Sequence, residues 1–270
     1  MTREGRASRV AVLVPLYKES ITTSEEFSFR NTLKVLSKHD IHVICPARLS
    51  GFLSSLKAKL CVNFKTRYFA DRYFSGVAGY NSLLKSRAFY KSFDCYEYLL
   101  IVQTDALVIS DQLDEWCNRN YSYIGAPWFK GFDCPVRPLS FLGVGNGGFS
   151  LRKVQDFIRV LSYPRYIPNV MAGEASFARF VKHRFIFSYS FKPFQPLVNE
   201  DAFWGLLAPR GCNFFTVPAP EAAISFAFEA EPEYLYELNR NQLPFGCHAW
   251  EKYNLQFWRK VLSERGLELP

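Results

Sequence analysis

The sequence predicts an α/β protein with an open, mostly parallel sheet flanked by helices and a more irregular C-terminal part. Three observations carry this expectation. Arg9–Pro15 (RVAVLVP) and Tyr98–Val102 (YLLIV) are unbroken apolar runs, the pattern of strands buried on both faces. Between them, apolar residues recur at helical spacing, so strand and helix alternate. Hydrophobic residues make up 49% of the 270 and aromatic ones 17%, enough for a sizeable core.

The elements follow in order. Thr22 and Thr23 stand three residues before Glu25 and Glu26, which is capping-box spacing, and Phe29, Leu33 and Leu36 mark the buried face of the helix that follows. His42–Pro46 (HVICP) is a second buried strand, so the chain opens as a right-handed strand–helix–strand unit. A third strand is expected over Leu60–Tyr68 and a helix over Gly79–Phe93, with Leu83, Leu84, Ala88 and Phe89 inward. YLLIV is cut off by Gln103-Thr104-Asp105. Tyr121–Ala126 reads as a strand. After the glycine-rich stretch Gly143–Gly148, Ser150 and Leu151 open a helix continued by Val154, Phe157, Ile158 and Leu161. Beyond Leu161 periodicity fades; Asn199–Leu207 reads as a short helix, Phe214–Pro218 as a late strand, and the chain from Leu243 as a loop and an aromatic-rich helix. One domain with two halves is expected, about residues 9–110 and 111–270.

Charge and cysteine usage exclude several classes. The net charge is +8, but Lys and Arg are dispersed and no RNA-recognition or zinc-finger pattern appears, so a nucleic-acid partner is not expected. The seven cysteines are odd in number and lack C-x-x-C spacing, which favours reduced thiols over a disulfide framework. The apolar part of the start, Val10–Leu16, is too short for a signal core, and nothing approaches the ~18 apolar residues of a membrane span. A cytoplasmic location is expected, with association at the inner membrane surface left open.

Four places carry chemistry. Asp105 follows the strongest strand, where open α/β sheets bind ligands, and its carboxylate suits a hard cation bridging to diphosphate; the alternative is a turn cap. Gly143–Gly148 permits close backbone approach to phosphate or a sugar ring, or is a flexible turn; it lacks the Gly-Lys-Ser/Thr ending of a P-loop. In Asn199-Glu200-Asp201, paired carboxylates at a helix start can act as base and positioner, although such residues also decorate ordinary first turns. His248, in FGCHAW, taken alone reads as a core or surface residue and gains weight as a ligand only from its company, since imidazole, carboxylate and diphosphate suit a manganese shell.

Taken in order, QTD, GVGNGGFSLR, NEDAFWG and FGCHAW resemble the layout of GT-A-fold glycosyltransferases. NEDAFWG is similar to the E-D-V-x-x-G motif of β1,3-galactosyltransferase-like enzymes, with Asp201 at the base position and Glu200 before it. The whole chain also resembles a bacterial family of unknown function described as glycosyltransferase-like. The resemblance implies a GT-A-like, Rossmann-like mixed sheet whose first half binds a nucleotide-sugar donor and whose second half binds the acceptor. It implies a divalent metal, Mn2+ or Mg2+, on Asp105 and His248. Gln103 replaces the first Asp of D-x-D and retains hydrogen-bonding capacity there. Donor contacts are implied for Pro15, Tyr17, Lys18, Asn81, Lys85, Gln103, Thr104 and Asp105. Acceptor contacts are implied for Asn146, Gly147, Gly148, Phe149, Trp204 and Trp250, with the three rings stacking on sugar faces.

The expected reaction is hexosyl transfer from a nucleoside-diphosphate sugar, UDP-sugar first, to a hydroxyl on a glycan or lipid-linked acceptor, in the building of surface polysaccharide. Asp201 as a single base opposite the leaving group implies inversion, with retention left open. A non-catalytic carbohydrate-binding protein is the main alternative. A hydrolase using Glu200 and Asp201 is disfavoured, because adjacent residues on one helix point apart.

Overall fold

In a computed structural model, residues 9–162 and 199–270 are described. The central sheet has six strands in the order β3-β2-β1-β4-β9-β6. Its parallel core is β1 (Val10–Pro15), β2 (Asp40–Pro46), β3 (Lys65–Phe69) and β4 (Tyr98–Val102). The apolar runs sit where double-faced burial requires them: every residue of β1 and of β4 is buried. Helix α1 (Thr23–Val35) starts on the expected capping box, Thr22 accepting from Glu25 N–H and Glu25 from Thr22 N–H. Helix α2 (Ser50–Leu60) crosses from β2 to β3.

The expected Leu60–Tyr68 strand is therefore corrected: Leu60 ends a helix, and β3 begins at Lys65. The expected Gly79–Phe93 helix is two, α3 (Gly76–Leu84) and α4 (Arg87–Lys91). The break has a cause. The Leu84 carbonyl accepts from Tyr90 Oη at 2.8 Å and Trp204 Nε1 at 3.2 Å, and Ser86 turns extended.

After β4 the chain forms β5 (Ala106–Val108), α5 (Leu113–Asn118), β6 (Tyr123–Ile124), β7 (Pro127–Phe129), β8 (Phe141–Val144), β9 (Phe149–Lys153) and α6 (Val154–Val160). Strand β6 is shorter than the Tyr121–Ala126 expected. The helix expected to open at Ser150 and Leu151 begins only at Val154. Residues 149–153 instead pair antiparallel with β4, Val102 opposite Phe149 and Tyr98 opposite Lys153. Pairing with the most buried strand outweighs the helix-like spacing of Leu151 and Val154. The glycine stretch thus leads into a strand, not a helix N-terminus.

The stretch from Tyr163 to Val198, where the sequence predicts fading periodicity, lies outside the described residues. Helix α7 (Glu200–Ala202) passes through a π-helical turn (Phe203–Leu207) into α8 (Ala208–Gly211), close to the helix expected over Asn199–Leu207. Phe214–Pro218 is not a strand; it is an extended segment whose Thr216 carbonyl accepts from Ser122 N–H at 2.8 Å. Helix α9 (Pro220–Ala223), β10 (Ala227–Phe228), α10 (Pro232–Leu238), β11 (Gly246–His248) and α11 (Leu255–Ser263) complete the chain. Strands β10, β11 and β5 form a second sheet backed by its own apolar cluster, with Leu107, Cys247, Trp250 and Trp258. Trp250 Nε1 donates to Ser28 Oγ and Asn31 Nδ2 to the Val108 carbonyl, so α1 anchors that sheet to the main one. Among the described residues no helix is long and apolar enough to cross a membrane.

Candidate active site

The site forms where the two sheets meet, beyond the carboxyl end of β4. Strand β5 pairs antiparallel with β11, Ala106 opposite His248, and this register sets Asp105 beside the imidazole. Asp105 Oδ1 lies 3.3 Å from His248 Nε2. Gln103 Oε1 is also 3.3 Å from Nε2. On the other side of the ring, Nδ1 is 2.8 Å from Glu229 Oε1, just past β10. Burial pulls the His248 pKa down, but the hydrogen bonds to Asp105 and Glu229 outweigh it and push the ring up to about 10. Burial opposes the charge on Asp105, yet the bond to His248 and the field of Lys18 hold its carboxyl below the usual range.

Imidazole nitrogen and carboxylate and amide oxygens are donor types that a divalent cation takes. Ligand atoms at about 2.1 Å from an ion and at right angles to each other stand roughly 3 Å apart, close to these separations. Among the described residues no group of three His, Cys, Asp or Glu side chains is placed to hold a metal ion; Asp105 and His248 form a pair, beside which Gln103 adds an amide oxygen. A Cβ on residue 148 would strike His248 Nε2; only glycine leaves the nitrogen clear.

One residue back, Gly147 N–H donates to Asp201 Oδ2 at 3.0 Å, while Ala202 N–H donates to Oδ1 at 2.8 Å. Two adjacent glycines therefore stand between the carboxylate at α7 and the imidazole at β11. Burial, then the neighbouring Glu200 charge, raises the Asp201 pKa from 3.8 to about 6. Asn146 holds the glycines in place: at a φ of 78° its Oδ1 accepts from Gly148 N–H at 3.0 Å and Phe149 N–H at 3.2 Å.

Glu200 occupies a different position from its neighbour. Its carboxylate is 3% exposed and receives both terminal nitrogens of Arg152, each at 2.8 Å. Arg152 is itself 0% exposed and also meets Ser150 Oγ and Tyr90 Oη. With both oxygens on Arg152, Glu200 stands where it holds α7, the positioner of the two roles expected for the pair. Asn81 is drawn to the same place: its Oδ1 accepts from Glu200 N–H at 2.8 Å and its Nδ2 donates to Asn199. Lys85, 2% exposed, has its pKa lowered by burial against the opposing fields of Glu200 and Asp201.

The remaining expectations divide. Tyr17 is 46% exposed with Lys18 Nζ over its ring, and both stand on the loop after β1; Pro15 is buried at the end of that strand. Thr104 donates to Glu25 and so faces α1. Phe149, Trp204 and Trp250 are corrected: at 0%, 0% and 1% exposure they are core rings and offer no face to a sugar. Trp204 packs on Phe157 and Phe215, Phe149 on Phe226 and Phe245. The ring the sequence did not suggest is Trp128 on β7, partly exposed, lying over Gly145 and donating Nε1–H to Glu229 at 3.1 Å. Glu229 had a signal: it ends the apolar run SFAF as Asp105 follows YLLIV.

A family model described as a protein of unknown function (DUF5672) matches residues 63–248. None of the curated proteins matches the sequence. Among solved structures, the apo form of mouse xyloside xylosyltransferase 1 is similar over 88% of this chain and 96% of its own, with 11% identity and a TM-score of 0.51. Galactosyltransferase LgtC in complex with donor and acceptor sugar analogs is similar over 88% of this chain and 86% of its own, with 9% identity and a TM-score of 0.50. An active-site mutant of LgtC gives 12% identity over the same shares at a TM-score of 0.51. The fold is thus the GT-A fold of nucleotide-sugar glycosyltransferases.

Proposed function

The chain belongs to the DUF5672 family of unknown function, and from its GT-A fold and the grouping of Asp105, Asp201 and His248 we propose that it is a metal-dependent glycosyltransferase acting on a nucleoside-diphosphate sugar. One observation supports this most. Three groups far apart in sequence, Asp105, Asp201 and His248, come together about the Gly147-Gly148 backbone.

The roles follow from placement. Asp105 and His248, with Gln103, would hold a Mn2+ or Mg2+ ion, which supplies Lewis-acid neutralisation of the diphosphate leaving group. Lys18 adds a positive charge on the same side. Tyr17, exposed on the β1 loop, offers a ring to the nucleobase. Asp201, with a pKa near 6, is ionised at neutral pH and is a stronger base than a free Asp. It takes the proton of the acceptor hydroxyl as that oxygen bonds to the anomeric carbon and the bond to the diphosphate oxygen breaks. A single base facing the leaving group inverts the anomeric centre, which the NMR coupling constants of the first-formed product read directly. UDP-sugars are the first donors to test, and a glycan or lipid-linked hydroxyl is the acceptor class. A purely carbohydrate-binding role gives no reason for a raised carboxyl beside a cation pair.

A thermal-shift screen of nucleotide sugars tests the proposal. Stabilisation by at least one donor is expected with Mn2+, to be lost in EDTA and in Asp105→Ala and His248→Ala. Full stabilisation in chelator would remove both residues from a metal role, and indifference to every donor would overturn the transferase reading.

A further inference from the structure

We infer that Glu229 is a positioning residue for the cation site, holding His248 by its far nitrogen and being held in turn by Trp128. This rests on the proposed cation role of Asp105 and His248 and goes beyond it, because Glu229 and Trp128 are neither ligands nor part of any motif that pointed to the site.

The geometry is a chain of two hydrogen bonds. Trp128 Nε1–H meets Glu229 Oε2 at 3.1 Å, and Glu229 Oε1 meets His248 Nδ1 at 2.8 Å. The carboxylate side chain is 14% exposed and the imidazole 16%, so water does not compete freely for either bond. A carboxylate accepts only, so Nδ1–H donates to Glu229, and the proton on Nε2, on the side of Asp105 and Gln103, is the one that a cation would displace. Such outer carboxylates fix the orientation of a metal-bound imidazole and raise its basicity.

The indole anchor makes the arrangement stiff. Indole N–H is a donor only, and its ring is seated on Gly145, where a Cβ would enter the six-membered ring. Phe132 packs edge-on to Trp128 with centroids 5.2 Å apart. Glu229 is therefore gripped at both oxygens, one bond reaching the β7–β8 hairpin and the other the β11 strand. A substitution at residue 128, which touches neither Asp105 nor the Nε2 side of His248, should be felt at the cation.

The test measures Mn2+ affinity of the full chain by the EPR signal of free Mn2+, in the presence of UDP or GDP, with melting temperature recorded for each variant. Glu229→Ala is expected to weaken Mn2+ binding by about 10- to 100-fold. Glu229→Gln, which keeps one acceptor oxygen, should recover part of that loss. Trp128→Phe, which keeps the packing and removes the N–H, should weaken binding less than Glu229→Ala while leaving the melting temperature near that of the unsubstituted chain. Wild-type affinity in Glu229→Gln and Trp128→Phe would overturn the positioning role, whether or not Glu229→Ala folds. If the unsubstituted chain takes up no Mn2+ with either nucleotide, the cation reading itself fails, and this inference with it.

Discussion

At the scale of single residues, Asp201 carries the sharpest expectation. Its carboxyl is raised from 3.8 to about 6 in the fold, so the folded chain binds this proton more tightly than the unfolded one. The associated stability is complete below the unfolded value and is lost as pH rises through 6. Asp201→Asn removes the charge but also one of the two acceptor oxygens used by Gly147 and Ala202. Its stability, read from urea denaturation, should therefore gain on that of the unsubstituted chain as pH is raised from about 4 to 8, by at most ~3 kcal/mol. Turnover should fall in the opposite sense. On the proposed function it should decline below pH 6 in the unsubstituted chain, and Asp201→Asn should lose at least ~100-fold while donor binding persists. A pH–rate profile and a titration of donor affinity measure both. Near-unchanged turnover on the true acceptor would remove Asp201 as the base.

At the scale of elements, the glycine stretch and the strand behind it set the working geometry. Gly148→Ala places a methyl on His248 Nε2 and should abolish Mn2+-dependent stabilisation by nucleotide. Gly51→Ala is the contrast: it lies in α2 with nothing within 4 Å, and it should be neutral or stabilising by up to ~1 kcal/mol. Differential scanning fluorimetry with and without Mn2+ separates the two. This is also the scale at which the sequence was most and least legible. Strands β1, β2 and β4 announced themselves because burial on both faces demands unbroken apolar runs, and Asp105 was found because YLLIV ends on it. Strand β9 was mistaken for a helix because Leu151, Val154 and Phe157 fit a helical period, while its true partner lies some fifty residues away. The β5–β11 pairing, which brings Asp105 to His248, is equally non-local and left no mark in either segment. Large aromatic residues near motifs looked like sugar platforms, but Phe149, Trp204 and Trp250 satisfy the core's need for volume. Trp128 carried no such cue, because its exposure is set by Gly145 beneath it.

At the scale of the whole molecule, Arg152 and Glu200 tie the central sheet to the C-terminal elements across 48 residues of chain. Both are buried, and either alone would be an uncompensated charge. Arg152→Ala should cost about 3–5 kcal/mol, read from urea denaturation, whereas the double replacement Arg152→Met with Glu200→Leu should restore much of it. An exposed pair such as Lys252–Asp133 should show no comparable effect. The pair holds α7, which carries Asp201, while the second sheet carries His248 and sets Asp105 beside it, so the candidate site is braced from two sides. Between those braces runs a bare span of main chain, residues 147 and 148, touched by the acid on one flank and the ring on the other. With the roles proposed for them, proton removal and leaving-group capture would share one backbone rail, and neither distance could be retuned without sliding the other.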